Sequence, residues 1–97
     1  MSRHDPTWRH PYQLQVGRRL IAVREARGLS RRALAAKAGM HASQLALIEW
    51  GRHAPRPMTL QPLAAALGLE NATLVAILAG VARDPLSTSE PASVPPG

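Results

Sequence analysis

The chain has 97 residues, enough for one domain around one core, and no cysteine, which excludes a disulfide framework and a thiolate metal site. Its net charge of +6, almost all of it from arginine, suits a polyanionic partner, meaning nucleic acid or an anionic membrane. The longest apolar run, from Ala72 to Ala82, falls short of the roughly 20 residues that span a bilayer, so no membrane segment is expected.

Residues 1–12, MSRHDPTWRHPY, read as a flexible basic arm broken by Pro6 and Pro11. The arm lacks the apolar stretch of a signal peptide, which fits a cytoplasmic protein. Trp8 and Tyr12 beside Arg3 and Arg9 suit either an arm lying along DNA or one folded back on the domain. The domain proper is expected over 13–82. Its positive charge is lopsided: Arg18, Arg19, Arg24, Arg27, Arg31, Arg32, Lys37, Arg52 and Arg56 stand against only Glu25 and Glu49 between residues 13 and 56.

Helical periods run through this region and no strand pattern competes with them. Val16, Leu20 and Val23, with Ile21 beside them, make the stripe of a first helix from Gln13 to Arg27, stopped by Gly28. Ser30 is an N-cap for a short second helix, Arg31 to Ala38, with Leu34, Ala35 and Ala38 facing inward. Gly39 is the turn residue, His41 the next cap position, and a third helix runs from Ala42 to Trp50. The segment RHAPRP is a loop, because Pro55 and Pro57 disfavour helix around them. Thr59 caps a fourth helix with Pro62 in its first turn and Leu60, Leu63, Ala64 and Leu67 as its stripe. Asn71 caps a fifth, Ala72 to Ala79, bearing Leu74, Val75, Ile77 and Leu78, with Val81 just beyond. Residues 83–97 hold four prolines and read as a disordered tail.

Two short helices flanking a glycine turn, with Leu45 and Ile48 anchoring the second, have the spacing of a helix-turn-helix, whose second helix enters the DNA major groove. Over about residues 16–80 the chain also resembles the Xre-type, lambda-repressor-like helix-turn-helix family. The resemblance lies in G-x-R-L at Gly17, R-E-x-R-G-L-S at Arg24, L-A-x-x-A-G at Leu34, I-E-x-G-R at Ile48 and T-L-x-x-L-A-x-A-L-G at Thr59. It implies an all-α, compact five-helix bundle that binds operator DNA as a dimer and regulates transcription.

The resemblance also implies particular roles. Arg31 would contact phosphate or reach a base edge, with Arg32 beside it. His41, Ala42, Ser43, Gln44 and Leu47 would face the major groove. Arg52, His53 and Arg56 would meet phosphates. Arg24 and Glu49 match positions that pair between helices one and three. Trp50 serves either as a cap or as a contact to the sugar-phosphate edge. Leu74, Val75, Ile77, Leu78 and Val81 offer more apolar surface than one small domain needs, which points to a dimer interface.

Two departures bear on function. Arg31 and Arg32 stand where the family usually has Gln or Glu, so two cations sit at the positive end of a helix dipole, a place a phosphate would make favourable. The recognition helix carries few hydrogen-bonding side chains, of which Gln44 is the one suited to adenine. The histidines (His4, His10, His41, His53) lack metal-ligand spacing, and no nucleophile or paired carboxylates appear, so neither a metal, a cofactor nor an enzyme is expected. The expected function is a sequence-specific DNA-binding regulator, a repressor by type. The alternatives are an antitoxin that also binds a toxin, and an adaptor that binds a signalling protein without DNA.

Overall fold

The computed structural model describes residues 11–87, and the expectations for residues 1–10 and 88–97 lie outside them. Five helices follow one another: α1 (Pro11–Ala26), α2 (Arg31–Ala38), α3 (Ala42–Glu49), α4 (Pro57–Leu67) and α5 (Asn71–Leu78). No strand occurs among the described residues. α1 packs on α3 and α5, α2 packs on α3 and α4, and α4 turns into α5 through a bend of 104°. The result is the expected all-α bundle with a helix-turn-helix at its centre.

The core takes the residues that the periodicity selects. Val16, Leu20, Val23, Leu34, Ala35, Leu45, Ile48, Leu63, Ala64 and Leu67 are all buried in one cluster. The turn between α2 and α3 depends on Gly39, whose φ of 72° is a left-handed conformation that a Cβ disfavours. There the Met40 N–H donates to the Ala35 carbonyl at 2.9 Å, closing the last turn of α2 and reversing the chain into α3. At its other end, α2 is capped by Ser30, whose Oγ accepts from the Ala33 N–H at 2.9 Å.

Several boundaries differ from the sequence reading. Pro11 and Tyr12 belong to α1 rather than to the arm, since proline at the start of a helix forfeits no hydrogen bond. The same reason starts α4 at Pro57 rather than after Thr59, with Arg56 in the cap position and Pro62 in the helix interior. α5 begins at Asn71, with Glu70 as its cap. α3 closes at Glu49, and Trp50 is its C-cap.

The expected tail also starts later than its composition suggests. Asp84 is buried and held by Arg27, whose Nη1 and Nη2 donate to its two carboxylate oxygens at 2.7 and 3.0 Å. Arg27 further donates from Nε to the Leu67 carbonyl at 2.8 Å and from Nη1 to the Val23 carbonyl at 2.9 Å. One guanidinium thus fastens the ends of α1 and α4 to the segment around Asp84. The hydrogen bonds from Arg27, opposed by burial and aided by the Leu86 N–H, hold the Asp84 carboxyl below its ordinary pKa.

α1 and α3 meet at Gly17. A Cβ there would lie 2.7 Å from the Ile48 carbonyl oxygen and in harder conflict with that of Glu49. Gly17→Ala should therefore destabilise the domain by about 1–3 kcal/mol, although alanine is the better helix former by about 1 kcal/mol; urea unfolding is the measurement. Asp84→Asn should cost about 1–3 kcal/mol near neutral pH. Because the folded-state pKa is depressed, this contribution is complete above the ordinary aspartate range and fades as pH falls through the lowered value. The stability gap between Asp84→Asn and the unmodified chain should narrow on acidification.

Candidate nucleic-acid interface

α3 is amphipathic in an unequal way. Leu45, Ala46, Ile48 and Glu49 point inward and are buried, while His41, Ser43 and Gln44 are exposed at its start. Leu47 is half-buried one turn on. Ala42 is also half-buried and packs against the core cluster, so it offers a narrower outer surface than the sequence reading assumed. The open face of α3 is therefore its first turn plus Leu47.

Gln44 is tied to its own helix start. The His41 N–H donates to its Oε1 at 3.4 Å, a long bond that half-completes a capping box. On its other side, Gln44 opens onto a groove of about 510 Å³ that also takes in Arg52, His53 and Arg56 from the α3–α4 loop and Gln13 from α1. Sequence reasoning did not pick out Gln13. Its position opposite α3 follows from the α1–α3 contact at Gly17, which no local pattern reveals. Arg32, Arg52 and Arg56 form no ion pair among the described residues. They are exposed and available to an anion.

Arg31 is placed differently. Its Nε donates to Glu49 Oε1 at 2.9 Å, and its guanidinium carbon lies 5.3 Å from the centre of the Trp50 ring, a cation–π distance. The position at the start of α2, unfavourable for a cation by the helix dipole, is thus already compensated by a carboxylate within the fold. Glu49 itself is wholly buried as a side chain. Its Oε2 accepts from Arg24 Nε at 2.8 Å and its Oε1 from Arg24 Nη2 at 3.0 Å. Arg24 completes its fork by donating from Nη1 to the Leu29 carbonyl at 3.0 Å. The Arg24–Glu49 pair between helices one and three is therefore present, and Arg31 joins it.

The residues expected at a dimer interface divide. Leu74, Ile77 and Leu78 are buried in the protomer's own core, because α5 closes the bundle over α1 and α4. Val75 and Val81 are exposed, at 43% and 78%.

Residues 15–77 match the model of a helix-turn-helix domain family. Among curated proteins, the immunity repressor protein of Bacillus phage phi105 is 40% identical over 62 residues, which cover 64% of this chain and 43% of the repressor. The match thus spans less than half of that relative's length. Among solved structures, the restriction-modification controller protein C.AhdI from Aeromonas hydrophila superposes with a TM-score of 0.64 at 31% identity, covering 67% of this chain and 98% of that one. The clp gene regulator ClgR from Corynebacterium glutamicum superposes with the same TM-score at 25% identity, covering 73% of this chain and 76% of that one.

Glu49→Ala should leave Arg24 buried without a counter-charge and lower stability by about 3–5 kcal/mol. An unfolding midpoint equal to that of the unmodified chain would show that the pair carries no net stability.

Proposed function

This chain belongs to the helix-turn-helix family of Xre type, and from that premise we propose that it is a transcription regulator, of repressor type, that binds operator DNA through α3. The observation that carries the reading is the groove in which Gln44, at the start of α3, lies beside Arg52, His53 and Arg56. A residue able to read a base edge stands next to cations that can take phosphates on one continuous face. The names of the relatives, a repressor, a controller protein and a gene regulator, support the same reading.

In the proposed complex, His41, Ser43, Gln44 and Leu47 face the major groove, with Ala42 reaching it only by its exposed edge. Gln44 pairs with adenine N6 and N7, and Leu47 packs on a thymine methyl. Arg32, Arg52 and Arg56 hold phosphates. Two copies associate through surface that includes Val75 and Val81, which sets two recognition helices about 34 Å apart on a pseudo-palindrome. The bound protein resides with the bacterial nucleoid in the cytoplasm.

Selection of bound duplexes from a random pool should return a two-fold symmetric site. Gln44→Ala should relax preference at one base pair per half-site by roughly 1–3 kcal/mol. Arg52→Ala or Arg56→Ala should weaken all duplexes alike and reduce the salt slope by about one. A chain that binds no duplex at low salt would refute the DNA reading and leave the protein-adaptor alternative.

A further inference from the structure

Arg31 is the one arginine of the candidate face that is both anchored and incompletely used. Among the described residues only its Nε has a protein acceptor, Glu49 Oε1 at 2.9 Å. Its Nη1 and Nη2 donate to no described residue, and the side chain remains 34% exposed. Two contacts restrain the guanidinium: the hydrogen bond from Nε and the Trp50 ring, whose centre lies 5.3 Å away. The carboxylate is not itself free to follow Arg31, because Arg24 grips both of its oxygens.

Resting on the DNA reading above, we propose that Glu49 and Trp50 are positioning residues that hold Arg31 as a preformed fork, Nη1 and Nη2 outward, for one phosphate of the bound duplex. A planar guanidinium with Nε occupied retains two nitrogens that bind two phosphate oxygens side by side, which an ammonium cannot do. Holding that fork before binding removes the rotamer entropy that a long mobile side chain loses on contact. Glu49 does not cancel the fork's usefulness. Its charge is already balanced by Arg24, so the two arginines and one carboxylate keep a net positive charge at this end of α2. Trp50, which is 53% exposed, is explained in the same way: it supplies a flat surface under the guanidinium rather than a buried core residue.

The test is a double-mutant cycle on duplex affinity across a salt series, with thermal midpoints recorded for each variant. Arg31→Ala should weaken binding to every sequence and lower the salt slope by about one. Arg31→Lys should keep the slope but still lose roughly three- to tenfold in affinity, since charge survives and the fork does not. Trp50→Leu should lose a similar roughly three- to tenfold with the slope intact, and should lose nothing further in the Arg31→Ala background. Glu49→Gln should behave like Trp50→Leu where it folds, and Trp50→Leu carries the test where it does not. Arg31→Lys and Trp50→Leu variants that bind as tightly as the unmodified chain would overturn the proposal while leaving the DNA reading intact. A Trp50→Leu loss that persists without Arg31 would also overturn it, by assigning Trp50 its own contact. Absence of binding by the unmodified chain at low salt would overturn both.

Discussion

A buried carboxylate at the end of the third helix is the constraint around which the helix-turn-helix is organised. Glu49 has no solvent to stabilise its charge, so Arg24 must approach from α1 and close a two-pronged pair on it. That pairing fixes the C-terminal end of α3 against α1. Two turns earlier along α1, the missing side chain of Gly17 lets the two backbones touch. With Leu45 and Ile48 packed in the core, the direction of α3 is determined, and with it the direction in which His41, Ser43 and Gln44 project.

The arginines, alike in composition, divide into two populations once the fold is known. Arg24 and Arg27 are structural. Each donates to a carboxylate, Arg24 also to one backbone carbonyl and Arg27 to two, and each binds elements far apart in sequence. Arg19 joins them by donating to the Leu78 carbonyl at 3.2 Å and to Gln15 Oε1 at 2.9 Å, which ties α1 to the end of α5. Arg32, Arg52 and Arg56 remain unpaired among the described residues. Pairing leaves the net charge unchanged but spends Arg24 and Arg27 inside the fold, while Arg32, Arg52 and Arg56 leave part of the positive charge exposed beside α3 and its following loop.

This division explains what could and could not be read from the sequence. The five helices, the turn at Gly39 and the core positions follow from local rules, apolar spacing and glycine punctuation, which need no knowledge of long-range contacts. The Arg27–Asp84 pair joins residues 57 apart, and the proline-rich composition around Asp84 conceals it. The apolar stripe on α5 divides between core and surface for a related reason. Periodicity reports that Leu74, Ile77 and Leu78 share a face, but whether that face meets its own core or another copy depends on where α5 lies relative to α1. Arg31 was legible as an oddity, a cation at a helix start. Its partner was not, since Glu49 lies on another helix and appeared already matched to Arg24.

The opposing demands on α3 limit what it can read. An eight-residue helix that commits four of its residues to the interior leaves its first turn, plus Leu47, for a ligand. Within that turn Gln44 already has an intramolecular use, its Oε1 accepting from the His41 N–H. At 3.4 Å that bond is weak, and the donor is exposed, so water can replace Gln44 at little cost when the amide turns to a base edge. The exchange makes base reading available but not strong. On the proposed DNA reading, with Gln44 as the one amide to distinguish base pairs, most of the affinity would come from phosphate contacts, and much of the selectivity from how well a given duplex bends or narrows to meet the cations. On that reading the rigid placement of a cation matters more than the number of cations, and the C-terminal end of α3, where Glu49 meets Arg24 and Gly17 lets α1 approach, is where Arg31 is held.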